Sequence, residues 1–470
     1  MKHFLVKQIN RVDFKTALEL FMLLSLLVVW IVWPLRGTIA ARNIALVLGS
    51  ISSIAWLSIE RPKFVMMDLL PVGFLLCVPA WLLSLYVFNP IVPHLQWDDL
   101  RGTWLRVVIE IIFAVGLGKL YLCRQQYQQF FFWLLYIWPI VILVLFIGQG
   151  TFTHSWFGEQ IYIYVFKSKV AGVYFLIWSL LLCYATAHWY FVNESALKNI
   201  SIKNFSYQAY ATAILFVICI IDFISLHSLN GFIAVFACSV LMACLLMSAK
   251  MWGLNWRQRF FRTGIALVGI TSFVILVLYY DARIANGKLS NLGADVNFIV
   301  NKDHSGAWKW DGSYSGPYPI INPINEREVN TSTYERLTWA IEGFRVLQEH
   351  PLGLGYTGQA FGYFMSLNYP GSRATKTHSG WLDFGLGAGF IGLTSIWLAM
   401  GAIFIRAWMT TRASITAILT PIYICWALVI MMLLWFIAEF SDREFIEHFF
   451  FIITFFSVTS SLYKPTTVNA

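Results

Sequence analysis

A small set of side chains in this sequence has the type and spacing to carry chemistry. His378 stands just before an apolar run that extends from Gly380 to about Phe404. An imidazole exchanges protons near neutral pH, so a histidine at the edge of such a run suits a general base acting on a hydroxyl group. The structural alternative is an interfacial histidine bonded to a loop carbonyl. Asp383 lies one turn into the same run, where a carboxylate is costly. Its offset from His378 is poor for a direct contact on one helix face. It therefore either orients the surrounding chain or meets a substrate itself.

The cationic candidates lie upstream. Arg336 and Arg345 share a stretch of helical spacing, about half a turn out of phase, so they face opposite ways. Arg345 has Glu342 and Glu349 at the offsets of a salt-bridged helix surface. Arg336 has no carboxylate at those offsets, and its planar fork suits a phosphate. Arg373 and Lys376 precede His378 closely and suit either lipid headgroups or a phosphate. Among the acids, Asp98-Asp99 invites a metal-site reading, but no second acidic cluster is placed to complete one. Glu110 and Asp222 fall inside apolar runs, where ionisable groups mark function or pair across helices.

The elements that must position these groups are membrane helices. The chain has 470 residues, 59% hydrophobic and only 12% charged, against about 25% charged in soluble domains. Its apolar runs are roughly 18–23 residues long, enough to cross a bilayer. The first run is too long for a cleaved signal peptide and reads as a retained helix. The net charge of +9 resides largely in short loops, as orientation signals do, and does not indicate a nucleic-acid partner. The seven cysteines show no CxxC spacing, so neither a zinc site nor a disulfide framework is indicated.

The sequence predicts about twelve spans, at 14–34, 39–58, 66–88, 104–122, 129–148, 170–192, 207–225, 231–248, 262–280, 380–403, 416–436 and 445–462. With both termini in the cytoplasm, the inner side holds more than twice as many Lys and Arg residues as the short outer loops. The long segment 281–379 then lies outside, between the ninth and tenth spans. Its first half reads as loop. In its second half, Ser332 and Glu335 form the pattern of a capping box opening a helix that Pro351 and Gly353 end. A glycine-rich stretch, 351–362, follows. In the tenth span Gly385, Gly389 and Gly392 share one face, which predicts close packing against a neighbouring helix. The chain shows no internal repeat of the kind inverted-repeat transporters carry.

His378-Ser379, nine residues, Gly389, two residues and Gly392 together resemble the signature of the O-antigen ligase family. Arg336 with Trp339 resembles the arginine and tryptophan that recur in the loop helix of that family. Relatives often have Ser-Arg-Gly at the outer end of the eighth span. Here the stretch is Ser228-Leu229-Asn230-Gly231, which leaves Arg42, Arg373 or Lys376 to supply a second phosphate contact.

The resemblance implies an all-α, GT-C-like integral membrane protein of the bacterial inner membrane. It would form a single polytopic domain over 1–470, with segment 281–379 as a periplasmic loop within it. The implied activity is that of an inverting, metal-independent glycosyltransferase, with no cofactor. His378 would be the catalytic base, and Arg336, Arg373, Lys376 and Asp383 would meet substrate. The donor would be a glycan on undecaprenyl pyrophosphate, the acceptor lipid A-core, and the surroundings membrane lipids. An O-antigen polymerase and a protein O-oligosaccharyltransferase share this fold. The latter usually has an additional C-terminal region, and this chain ends soon after its last predicted span. From a different class, a glycolipid transporter would tolerate loss of His378.

Overall fold

The computed structural model describes residues 2–153, 165–197, 202–226, 228–249, 291–301, 306–309, 320–323, 326–413, 419–438 and 442–460. The protein is an all-α membrane protein. Among the described residues seven helices are long and apolar enough to cross a membrane: Phe14–Val32, Ile39–Glu60, Met66–Phe88, Gln125–Phe152, Lys169–Tyr190, Gly380–Thr411 and Leu419–Ile437. Tyr210–Ser225 and Gly231–Leu245 are shorter apolar helices. The span expected at 262–280 lies outside the described residues.

In chain order the first elements are α1 (Lys2–Val32), α2 (Ile39–Glu60), α3 (Met66–Phe88), the short α4 (Pro93–Asp99), a π-turn (Leu100–Trp104) and α5 (Leu105–Cys123). They are followed by α6 (Gln125–Thr153), α7 (Lys169–Leu197), α8 (Ile202–Ser225) and α9 (Leu229–Ala249). The bundle is apolar both in its core and on its exterior, with a minority of buried polar groups pairing between helices. On α2 the exposed face carries Ile44, Leu48, Ile51 and Ile54, while Arg42, Ser50 and Ser53 are buried. Ser50 Oγ donates to the Ile109 carbonyl at 2.8 Å, and Gly49 allows Phe113 of α5 to approach. Such an exterior is suited to lipid, and such hydroxyl contacts hold helices together where lipid removes the hydrophobic drive.

The segment between α9 and the site contains α10 (Leu292–Asn301), a β-hairpin of β1 (Ile321–Asn322) and β2 (Arg327–Glu328), α11 (Thr331–Glu349) and α12 (Ala360–Asn368). The sequence reads the first half of this segment as loop, yet α10 and the hairpin are regular. Phe298, Ile299, Ile320, Val329 and Tyr334 form a small core beneath them, and Asn322 Nδ2 donates to Asp295 at 3.2 Å. Helix α11 also starts earlier than the Ser332–Glu335 pattern predicts. Asn330 is the N-cap, and its side chain accepts from the Thr333 N–H at 3.1 Å. An asparagine side chain at that position satisfies the orphan N–H, so the helix needs no capping box further on.

The chain then enters α13 (Gly380–Ala413), α14 (Leu419–Ile437) and α15 (Arg443–Thr459). Two polar layers fix how these helices align. At the end of the bundle next to His378, Glu447 of α15 is ion-paired with Arg42 at 3.1 Å and accepts from Arg106 Nε at 2.7 Å. At the far end, Asp68 of α3 pairs with Lys119 of α5 at 2.7 Å and with Arg406 of α13. A buried carboxylate at each end, paired with two cations, pins helix register at positions where a mismatch would strand a charge.

Candidate functional site

Helix α13 is not continuous. Gly389 takes φ 67° and ψ −174° within it, so the first segment, 380–388, is separated from the long membrane segment. The carbonyls released by this break are used. The Leu354 N–H donates to the Leu386 carbonyl at 2.8 Å and the Gly355 N–H to the Gly387 carbonyl at 2.9 Å, while the Phe390 N–H donates to the Pro351 carbonyl at 2.9 Å. The glycine-rich stretch thus runs as an extended strap along the break. This corrects the glycine-stripe expectation at Gly389, which meets a backbone strap rather than a neighbouring helix. Gly387 and Gly389 are small because the backbone of 351–357 crosses them, and Gly385 meets Leu347 of α11.

His378 lies in the turn that leads into the 380–388 segment. Its φ of 61° is left-handed, a conformation uncommon for any residue other than glycine and typical of strained functional positions. Asp383 holds the turn. Its Oδ1 accepts from the Thr377 N–H at 2.8 Å and from the Thr377 hydroxyl at 2.9 Å. Asp383 therefore acts on the residue before His378. On the other side Gly380 N–H donates to the Ala438 carbonyl at 3.0 Å, and Trp381 Nε1 donates to Met432 O at 2.8 Å. These bonds tie the turn to α14.

Helix α11 supplies the other wall. The Trp339 ring stacks on the half-buried His378 imidazole, with centroids 5.2 Å apart and planes 12° from parallel. Trp339 is itself fixed, because its Nε1 donates to the Trp308 carbonyl at 2.5 Å. One turn further on, Gly343 has no Cβ, and a Cβ there would sit 2.5 Å from the Thr377 methyl. That glycine lets α11 press against the turn. Arg336 is half-buried one turn before Trp339, on the helix face that Trp339 and Gly343 turn toward His378. Arg345 lies on the opposite side, 2.5 Å from Glu342 and also paired with Glu349. The Glu342 hydrogen bond holds its guanidinium above the usual arginine range.

The remaining candidates are dispersed. Arg373 is exposed on the approach to His378. Lys376 is half-buried and ion-paired with Asp442 at the start of α15. Arg42 is buried and paired with Glu447, so it is not placed to supply the second phosphate contact. Glu110 belongs to the same buried charged group as Arg42, Arg106 and Glu447. Asp222 is buried, and its carboxylate has no hydrogen-bond partner among the described residues. Asp98 pairs with Arg101 at 2.6 Å on the surface, whereas Asp99 is buried and bonds to the strap. Among the described residues no group of three or more His, Cys, Asp or Glu is placed to hold a metal ion.

Sequence reasoning did not anticipate the Trp339–His378 stack, the Thr377 clamp or Tyr356. The Tyr356 phenol is buried in the strap, with no hydrogen-bond partner among the described residues. Burial pushes its pKa up. The available signals were a hydroxyl residue immediately before the histidine and a glycine inside α11.

No curated protein matches the chain. Residues 214–397 match the family model described as O-Antigen ligase. That match takes in α11, the strap, His378 and the α13 break, so this part of the chain is similar to an O-antigen ligase domain.

Proposed function

We propose that the protein is an O-antigen ligase that moves a glycan from undecaprenyl pyrophosphate to a sugar hydroxyl of lipid A-core. The observation that carries this reading is the His378 imidazole, held in a left-handed turn and stacked on Trp339, with Arg336 one turn away on α11. His378 removes the proton from the acceptor hydroxyl. The resulting oxygen attacks the anomeric carbon, the bond from that carbon to the pyrophosphate oxygen breaks, and the leaving group departs with the electron pair. Attack from the opposite face inverts the anomeric configuration. Pyrophosphate is already a good leaving group, so one base and cationic stabilisation of its charge suffice. Arg336, Arg373 and Lys376 are the assigned sources of that charge, Lys376 being paired with Asp442 as well, and Asp383 supports His378 through Thr377. The GT-C-like bundle forms the groove for two lipids, and the segment around α10–α12 closes over the sugars. The basic-residue bias supports a reading in which this face lies on the periplasmic side of the inner membrane.

The test uses purified protein, lipid-linked glycan and rough lipopolysaccharide, read as a ladder on a gel. The wild type is expected to form the ladder. His378→Ala should lower transfer about 10²–10⁴-fold and keep donor binding, because the base acts on the acceptor. Near-normal transfer by His378→Ala would overturn the assignment. Joint loss of transfer and donor binding would instead make His378 a cation that holds the pyrophosphate, with activity falling as pH rises rather than as it drops. Chain growth without lipopolysaccharide would identify a polymerase.

A further inference from the structure

Two buried aspartates in this protein make the same clamp. Asp383 takes both the N–H and the hydroxyl of Thr377. Asp99, at the end of α4, does the same to Thr357 in the strap: its Oδ2 accepts the Thr357 N–H at 2.7 Å and the Thr357 hydroxyl at 2.9 Å. The π-turn that follows α4 brings two further donors to the same carboxylate. The Thr103 hydroxyl reaches Oδ1 at 2.8 Å and the Trp104 Nε1 reaches Oδ2 at 3.0 Å. Such π-turns are rare and often occur at functional sites. One helical turn before Asp99, Gln96 Nε2 donates to the Leu354 carbonyl at 3.1 Å, so α4 binds the strap at two places.

The Trp104 ring carries this arrangement into the site. It packs edge-on against Phe384 with centroids 6.2 Å apart, and Phe384 follows Asp383 in the chain. Asp99 therefore joins three elements: α4 with its π-turn, the strap, and the segment 380–388 that begins beside His378. A surface acid would have no reason to gather four donors, and a carboxylate buried this deeply is stable only when its acceptor sites are filled.

We propose that Asp99 is a positioning residue for glycan transfer: by clamping Thr357 and Trp104 it fixes the strap and the 380–388 segment, and so sets where His378 meets the acceptor. The proposal rests on the ligase reading for the reaction, but the clamp can be measured without turnover. In full-length protein, Asp99→Asn should lower kcat about 10- to 100-fold, the scale of a misplaced reactive group, with donor affinity kept. Asp98→Asn, at the neighbouring exposed acid, should leave kcat unchanged. Thr357→Val should follow Asp99→Asn, and Thr357→Ser, which keeps both donors, should restore most of the loss. In a His378→Ala background, Asp99→Asn should add no further loss. Hydrogen exchange at Leu354, Gly355 and Thr357 should accelerate in Asp99→Asn, with or without His378.

An unchanged kcat in Asp99→Asn would overturn the proposal. So would a loss fully explained by less folded protein, or one that multiplies with that of His378→Ala. If the wild type transfers no glycan, the ligase reading fails, and the exchange measurement still decides whether the clamp exists.

Discussion

Gly389→Ala tests whether the break in α13 is the device that seats the site. The native φ of 67° and ψ of −174° fall in a region open essentially to glycine, and forcing another residue there costs roughly 1–3 kcal/mol. Space adds to the backbone term. A Cβ at this position would lie 2.3 Å from the Leu352 carbonyl carbon, 2.4 Å from its oxygen and 2.6 Å from the Pro351 oxygen. These are backbone atoms of the strap and cannot rotate away. Relieving the overlap moves the strap off the Leu386 and Gly387 carbonyls. Each buried donor or acceptor left unmatched costs about 1–3 kcal/mol. With one such group stranded, the total is roughly 2–6 kcal/mol, a large share of the ~5–15 kcal/mol that holds a typical protein folded.

Gly401→Ala provides the internal control. It lies in the same helix, and nothing is within 4 Å of the Cβ it would gain. Alanine is favoured over glycine in a helix interior. The assay is thermal unfolding of the purified protein in detergent, followed by glycan transfer with the surviving fraction. Gly401→Ala should match or slightly exceed the wild-type Tm. Gly389→Ala should melt several degrees lower and transfer poorly even when folded. Equal Tm values with full transfer for Gly389→Ala would refute the reasoning, because the strap would then have to be indifferent to the break.

Two further perturbations bear on the arginines and on orientation. Arg336→Ala should reduce transfer by ~30- to 1000-fold, the value of a charge-assisted contact to a departing phosphate, and Arg336→Lys should recover only part because lysine lacks the fork. Arg345→Ala should change transfer little, since Arg345 faces away from His378 and its exposed pair with Glu349 is worth about 0–1 kcal/mol; equal losses in a transfer assay of the two alanine variants would remove the phase argument. For orientation, Glu328→Cys in β2, in a background without the exposed Cys77, Cys123 and Cys244, should react with an impermeant maleimide in intact spheroplasts. Labelling only after lysis would reverse the proposed topology.

The division between what the sequence disclosed and what it hid follows the range of each interaction. The Arg345 pairs were legible because they obey the local geometry of one helix, and seven of the twelve expected spans were legible because the bilayer sets their length. Gly389 was visible as a glycine, but spacing alone cannot separate a residue kept small for helix packing from one kept small for a left-handed break. The Ser332 pattern offered a cap, and only the structure shows that the side chain reaching an amide is that of Asn330. Asp99 looked like half of a metal site because two acids stand side by side, while its partner Thr357 lies 258 residues away. The same applies to the stacking of Trp339 on His378. In a membrane bundle one apolar run resembles another, so the order of helices in the chain says little about which of them touch. The groups that hold His378 come from α11, the strap and α13, and the clamp behind them comes from α4. Their chemistry was written in residue types, but their assembly depends on contacts between elements that sequence spacing does not encode.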